Sequence, residues 1–179
     1  TNITGFFQST KYFAKYEKRI RKELTPKSEH LLRAEEKIQE YKSSNPGKKI
    51  VSLHLRRGDN TNSTNPNDQL NNMYGSDSVS FEDSFYGKYL TNALSEFKSD
   101  NCIFLVFSGG SREEGNDNSS DLDWCKDNLP GEEFLISKPA TTMEDFSLIM
   151  SCDHNIISPV SSFGWWAAFM NIHKDKIIV

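Results

Sequence analysis

The sequence predicts an α/β fold in which a parallel sheet is flanked by helices. Five short apolar runs have the length and composition of buried strands, and amphipathic stretches with helical spacing separate them. Strands and helices that alternate in this way are typical of a parallel sheet with crossover helices. The runs are mostly apolar rather than strictly alternating, which fits strands that are covered on both faces. The runs lie at 48–55, 102–107, 133–136, 155–157 and 176–179, and the helical stretches at 82–98, 121–129, 143–151 and 162–171.

The part of the chain before the first strand is predicted to be helical. Apolar side chains recur near four-residue spacing through residues 8–24 and again after Pro26. The sequence Asn45-Pro46-Gly47 then favours the end of the second helix. The sequence therefore predicts a helical lead-in segment at 1–47 and a sheet-containing domain at 48–179.

Hydropathy and charge bear on where the protein works. No apolar run approaches the roughly 18 residues that a membrane-spanning helix needs, and the first residues do not have the charged start and apolar stretch of a signal peptide. Residues 1–50 hold 12 Lys or Arg against 6 Asp or Glu, whereas residues 51–179 hold 9 against 19. These features predict a cytoplasmic location. The basic first part leaves open a peripheral contact with an anionic membrane surface, and a solvated helix face is the plainer interpretation.

Charged residues follow the first predicted strand directly, in the segment His54-Leu55-Arg56-Arg57-Gly58-Asp59. Because consecutive strand residues point to opposite faces, we expect His54 and Arg56 to share one side and Arg57 to take the other. Arginine binds phosphate oxygens bidentately, so two neighbouring guanidinium groups suit a pyrophosphate. Such exposed arginines would contribute little to folding. The alternative is an Arg–Asp ion pair that closes the strand end.

A second candidate segment is SPVSSFGWWAAFM, which runs from Ser158 to Met170. Ser161 or Ser162 is predicted to cap a helix that begins near Phe163, and the tryptophans that follow are predicted to pack this helix into the core. A helix N-terminus with free N–H groups and hydroxyls binds anions readily. Together with the arginine pair, this helix is expected to bracket a gap of the size of a phosphate.

Two polar segments, at 59–80 and 108–120, directly follow predicted strands. Ligands in an open α/β sheet bind beyond the carboxyl ends of the strands. The segments, including Ser108 at the start of the second one, are therefore expected to border the site. Variable surface loops without a binding role are the alternative.

Five stretches match motifs of one enzyme family in the right order. The hexapeptide H-x-R-R-x-D at 54–59 looks like the first motif of the α-1,2-, α-1,6- and protein O-fucosyltransferases. The run S-S-F-G-W-W-A-A at 161–168 resembles the late motif of the α-1,2-fucosyltransferases, glycosyltransferase family 11. The other stretches that resemble this family are GFFQSTKYF, FLVFS with the later DLDWCKDNL, and MEDFSLIMSCDHNIIS. The similarity covers nearly the whole chain.

The resemblance implies a fold and a reaction. The fold is the donor-binding, Rossmann-like half of a two-domain GT-B glycosyltransferase. The reaction moves L-fucose from GDP-fucose to the 2-hydroxyl of a terminal galactoside and inverts the anomeric centre. GDP-fucose and a galactose-terminated glycan are the implied partners, with no cofactor beyond the donor and no nucleic acid. Family members extend further upstream, so the resemblance also implies that this chain lacks an N-terminal portion.

Roles for individual residues come from the charge argument and the resemblance together. Arg56 and Arg57 are expected to stabilise the leaving diphosphate, and Asp59 to orient an arginine or approach the acceptor hydroxyl. His54 is expected near the guanosine end of the nucleotide. The residues predicted to bind the donor are His54, Arg56, Arg57, Ser108, Ser161, Ser162 and Phe163.

The sequence departs from the family pattern at two places and leaves two alternative functions open. The late motif usually has Asn where this chain has Pro159-Val160, and the strand that ends at Ser108 is followed by an insertion before the tryptophan segment. A metal-independent mechanism is predicted, because neither a D-x-D metal motif nor a cluster of His and Cys ligands is assigned in the sequence. The alternatives are an α-1,6- or protein O-fucosyltransferase, or a GDP-sugar- or glycan-binding module without catalysis.

Overall fold

The computed structural model describes residues 8–61, 73–76, 78–98, 100–109, 119–129, 131–137 and 141–179. Within these ranges, parallel strands form a four-stranded sheet in the order β3-β2-β1-β4. The strands are β1 (Lys49–Leu55), β2 (Cys102–Ser108), β3 (Phe134–Ile136) and β4 (His154–Ile156). The predicted parallel α/β sheet is confirmed.

Helices cover the sheet on both faces. The described helices are α1 (Glu17–Leu24), α2 (Ser28–Ser44), α3 (Phe85–Ser95), α4 (Ser119–Asn128), α5 (Thr142–Ser151) and α6 (Ser162–Met170), and 3-10 turns occur at Thr10–Tyr12, Ala14–Tyr16 and Gly58–Thr61. The single helix predicted at 8–24 is therefore too long. Phe13 leaves helical geometry at φ −141° and separates two 3-10 turns that precede α1. Its ring stacks on Trp166 of α6 at 5.3 Å between centroids, so packing against α6 overrides the local helical pattern.

The alternation of side chains along β1 produces two cores. Val51, Leu53 and Leu55 pack with apolar side chains of α3 and α4 on one face. Ile50, which precedes Val51, lies on the other face and packs with α2, α5 and α6. Every residue from Ile50 to Leu55 is buried, including the polar Ser52 and His54, as in a strand that is covered on both faces.

The fifth predicted strand, at 176–179, is present only as a single bridge. Ile178 lies parallel to Asn155 at the outer edge of β4, and three backbone hydrogen bonds join the two segments. The segment at 176–179 therefore extends the sheet beyond β4 through one parallel bridge rather than as a strand of its own. The predicted loops at 59–80 and 108–120 lie largely outside the described residues.

Candidate active site

The strand order defines a crevice at the carboxyl end of the sheet. From β1 the chain adds β2 and β3 on one side, and then crosses over to place β4 on the other side of β1. Such a reversal is a topological switch point, where open α/β sheets bind their ligands. The two segments singled out in the sequence follow β1 and β4, the two strands that border this crevice. The fold therefore brings them together.

His54 makes direct contact with the start of α6. Its ring lies 5.7 Å from the ring of Phe163, centroid to centroid. A methyl group added to Gly164 would lie only 2.8 Å from His54 Nδ1 and 3.5 Å from Ser161 Oγ. A side chain at position 164 would thus displace the imidazole, so this glycine is what allows β1 and α6 to approach. The motif glycine between Phe163 and Trp165 was not assigned a role from the sequence.

The N-terminus of α6 is built as predicted. Ser161 is the N-cap residue and its hydroxyl accepts a hydrogen bond from the Gly164 amide at 3.0 Å. Ser161 is 2% exposed, whereas Ser162 is exposed. Since the first amides of a helix have no acceptor within the helix, the Ser162 and Phe163 N–H groups point beyond the N-terminal end of α6, which is the geometry that anion binding at helix termini uses.

A tight turn leads from β4 into α6. The Ser161 amide donates to the Ser158 carbonyl at 3.0 Å, which places Pro159 and Val160 at the two central positions of a four-residue turn. Proline is preferred at the first of these positions because its φ angle is already fixed there. Both central residues are exposed, so the departure from the family motif is accommodated at the surface.

Arg56 lies at the centre of a three-residue turn that ends β1. The Arg57 amide donates back to the Leu55 carbonyl at 3.0 Å, and Gly58 follows with φ 62°. The positive φ at Gly58 lets the chain reverse direction directly after the two arginines. Arg56 is half-buried, and its Nη1 donates to the Arg57 carbonyl at 3.4 Å.

Arg57 points to the opposite face from His54, as strand alternation predicts. Its Nε donates to Asp121 of α4 at 3.1 Å, and both side chains are 12% exposed. Its guanidinium carbon lies 3.8 Å from the centre of the Trp124 ring. The expectation of an exposed arginine with little role in folding is therefore wrong for Arg57, because an ion pair and an aromatic face hold it. Its partner Asp121 was not identified from the sequence.

The remaining predicted residues lie nearby with different surroundings. The Ser108 hydroxyl is buried at the end of β2 and donates to the Leu55 carbonyl at 3.1 Å. Asp59 belongs to the 3-10 turn Gly58–Thr61 just past the arginines, and its side chain lies outside the described part of the structure. Their assignments as binding and catalytic residues stay predictions.

The described residues contain neither a cluster of metal ligands nor a membrane-spanning helix. Within those residues, no group of three or more His, Cys, Asp or Glu side chains is placed to hold a metal ion. Asp121-Leu122-Asp123 has the D-x-D spacing of some metal sites, but it lies in α4, where Asp121 pairs with Arg57 and Asp123 with Lys126. No described helix is long and apolar enough to cross a bilayer. Metal independence and the location in the cell remain predictions.

Known proteins resemble this chain along its length. Galactoside alpha-(1,2)-fucosyltransferase 1 of Homo sapiens is 25% identical over 178 residues, which cover 94% of this chain and 42% of that protein. The Sus scrofa protein of the same name gives the same identity and coverage. Alpha-1,2-colitosyltransferase of Escherichia coli is 27% identical over 184 residues, which cover 98% of this chain and 53% of that protein.

The matches cover nearly all of this chain but only part of each relative. The chain spans about half the length of these relatives, 42% or 53% of each. The sequence profile of Glycosyl transferase family 11 matches residues 1–179, which is the whole sequence. Two of the motifs that carry the resemblance, at 54–59 and 161–168, meet at the switch point of a parallel α/β sheet. The chain belongs to glycosyl transferase family 11.

Proposed function

We propose that this chain forms the GDP-sugar-binding part of a galactoside α-1,2-fucosyltransferase. The observation that carries the proposal is the contact between His54 at the end of β1 and the capped N-terminus of α6 at the switch point. Family membership and relatives named for α-1,2-fucosyl transfer support the same reaction. The transferred sugar is L-fucose, the donor is GDP-fucose and the acceptor is the 2-hydroxyl of a terminal galactoside.

The proposed site stabilises the leaving diphosphate electrostatically. The partial positive charge of the α6 N-terminus lies on one side of the crevice. Arg56 follows β1 on the other side and is always charged. Groups that are fixed before the reaction need no reorganisation when negative charge develops on the diphosphate. This arrangement suits departure of GDP without a metal ion, and the protein needs no cofactor beyond its donor.

The transfer replaces one glycosidic bond by another. The bond from fucose C1 to the diphosphate oxygen breaks, and its electron pair leaves with GDP. The acceptor oxygen attacks C1 from the opposite face, through an oxocarbenium-like state, and its proton passes to a base. Inversion of the anomeric centre follows from this single displacement. Asp59 lies directly after the arginine pair and is proposed to orient an arginine or to approach the acceptor hydroxyl.

Donor binding is the direct test of the site. Calorimetric titration of the 179-residue chain with GDP-fucose, GDP-mannose, UDP-galactose and guanosine should show binding of the GDP sugars in preference to the uridine nucleotide. GDP-colitose belongs in the panel because the Escherichia coli relative is named for colitosyl transfer. Arg19→Ala, an exposed arginine of α1 paired with Glu23, is the matched control for Arg56→Ala. Equal affinity for GDP-fucose in wild type and Arg56→Ala would refute the phosphate role.

Transfer itself is tested with lactose as acceptor. Fucosyllactose should form from GDP-fucose and lactose, and EDTA should leave the initial rate unchanged. A rate that collapses on chelation and returns with manganese would contradict the metal-independent mechanism. Fucosylation of an α-1,6-type or protein O-linked acceptor, instead of lactose, would assign the chain to the other fucosyltransferase classes.

A GDP-sugar-binding module without catalysis is the second candidate. The chain matches 42% of the length of the fucosyltransferase relatives, and acceptor-binding residues can lie in the other part of those proteins. Binding of GDP-fucose without fucose release, with or without lactose, would support this candidate. Acceptor-dependent release would exclude it.

A further inference from the structure

The end of β1 loses its partner strand before it reaches the arginines. Pairing of β1 with β4 ends at Leu53 and Ile156, while pairing with β2 continues to Leu55 and Ser108. The Ile50 carbonyl accepts the Asp153 amide on the β4 side. Because successive carbonyls alternate between the two neighbours of a strand, the His54 carbonyl faces the same side, where the ladder has already ended.

Two tyrosine hydroxyls replace the missing ladder bonds. Tyr86 of α3 donates to the His54 carbonyl at 3.0 Å, and Tyr74 donates to the Arg56 carbonyl at 2.6 Å. The two rings stack on each other with centroids 4.8 Å apart. The Ser108 hydroxyl takes the Leu55 carbonyl between them, at 3.1 Å. Three consecutive carbonyls of the first motif are thus each held by a side-chain hydroxyl.

We propose that Tyr74 and Tyr86 are positioning residues for the donor site: Tyr86 fixes the backbone of His54 and Tyr74 fixes the backbone of Arg56. This role rests on the proposed function, in which His54 lies near the guanosine and Arg56 near the diphosphate. Both tyrosines are buried, Tyr86 at 0% and Tyr74 at 7% exposure, so water does not substitute for their hydroxyls. A backbone carbonyl without its hydrogen bond would turn, and the side chain on the same residue would move with it.

Both phenols stay protonated in any ordinary buffer. Burial raises the pKa of Tyr86 well above its usual value, and burial also raises that of Tyr74, against a smaller lowering by the Ser158 hydroxyl and by Arg57. The two hydroxyls are therefore hydrogen-bond donors at neutral pH and above it.

The test removes one hydroxyl at a time and measures the affinities for two ligands. Tyr74→Phe, Tyr86→Phe and the control Ser147→Ala are titrated with GDP and with guanosine, below the melting temperature of the least stable variant. Ser147 is fully buried in α5 and its hydroxyl donates to the Met143 carbonyl at 2.7 Å, so the control loses a comparable bond away from β1.

The two tyrosine variants should differ in their ligand pattern. We expect Tyr74→Phe to lower the affinity for GDP about fivefold, which is the effect of one neutral hydrogen bond. The affinity for guanosine should stay within about twofold of the wild-type value. Tyr86→Phe should lower the affinities for GDP and for guanosine by a similar factor. Ser147→Ala should lower neither affinity. Identical patterns in the two tyrosine variants, or unchanged affinities with only a lower melting temperature, would overturn the positioning role and leave the proposed function standing. Failure of the wild-type chain to bind GDP would overturn both.

Discussion

Arg56 and Arg57 are neighbours in the chain, yet the two faces of the sheet give them different surroundings. Arg57 lies on the α4 face, 12% exposed, with its charge paired to Asp121 and its guanidinium over Trp124. Arg56 is half-buried at the turn that ends β1, two residues after His54. The α4 face thus uses one arginine for packing, and the other is the one proposed to bind the diphosphate.

The difference shows how one motif can serve stability and binding together. A charge that is already neutralised by a buried carboxylate, as that of Arg57 is by Asp121, gains less from a phosphate. Arg57 still lies one residue from Arg56, so it fixes the turn from which Arg56 extends. We therefore expect substitution of Arg57 to lower mainly the stability of the fold, and substitution of Arg56 to lower mainly the affinity for GDP.

The largest effect is expected from Arg57→Ala. It leaves the Asp121 carboxylate buried without its partner, and breaking a buried pair in this way costs roughly 3–5 kcal/mol of unfolding free energy. Urea denaturation followed by circular dichroism measures the loss, with Arg56→Ala as the matched control. The Asp121→Ala and double variants complete a cycle in which the coupling energy should be well above zero. Equal stability losses for Arg56→Ala and Arg57→Ala would abolish the contrast between the two faces.

Arg56→Ala should act on the ligand instead. A charge-assisted contact to phosphate is worth about 1.5–3 kcal/mol, so GDP affinity should fall by that amount while guanosine affinity stays near the wild-type value. Arg56→Lys should recover only part of the loss, because an ammonium group keeps the charge but cannot bind two oxygens in a fork. Isothermal titration calorimetry measures both ligands. A parallel loss of guanosine affinity would mean that Arg56 supports the fold of the site rather than the phosphate.

Gly164→Ala probes the contact between β1 and α6 with a smaller expected effect. The added methyl group would lie 2.8 Å from His54 Nδ1, and overpacking of this kind costs typically about 1–3 kcal/mol. The higher helix propensity of alanine offsets about 1 kcal/mol of it. Thermal denaturation should therefore show a modest net loss, and GDP and guanosine should both bind more weakly.

The His54→Ala background supplies the control for this clash. If contact with the imidazole causes the loss, then Gly164→Ala should cost little stability once the imidazole is absent. An undiminished loss in the double variant would place the obstruction elsewhere in α6.

Local pattern was enough to predict most of the sheet and its helices. The run at 48–55 became β1 at Lys49–Leu55, and the stretch at 162–171 became α6 at Ser162–Met170. Both are strongly apolar segments with clear breakers or caps, so local and tertiary preferences agree. The strand–helix alternation also placed the two motifs at the carboxyl end of the sheet, where they do meet.

Contacts between distant parts of the chain were beyond the sequence. Arg57 and Asp121 are 64 positions apart, and no local pattern in the sequence links the two residues. The tyrosines that hold the backbone of His54 and Arg56 carry no motif that separates them from ordinary core residues. Phe13 shows the same limit in the fold, because its stacking on Trp166 interrupts a helix that the local spacing favours.

Ser161 and Ser162 repeat the comparison of the arginines on a smaller scale. Ser161 is 2% exposed and caps α6 through the Gly164 amide, whereas Ser162 is exposed at the first helical position. Ser161→Ala should lower the unfolding free energy by about 1 kcal/mol, the usual cost of a lost N-cap. Ser162→Ala should change stability by less than about 0.5 kcal/mol, as surface substitutions do.

If the Ser162 hydroxyl donates a hydrogen bond to the diphosphate, Ser162→Ala should weaken the binding of GDP by about 0.5–1.5 kcal/mol and leave the affinity for guanosine unchanged. The double variant should then show both losses, added, because the two hydroxyls act on different partners. Equal losses of GDP and guanosine affinity in the double variant would place the diphosphate away from α6 and leave the helix N-terminus a packing feature alone.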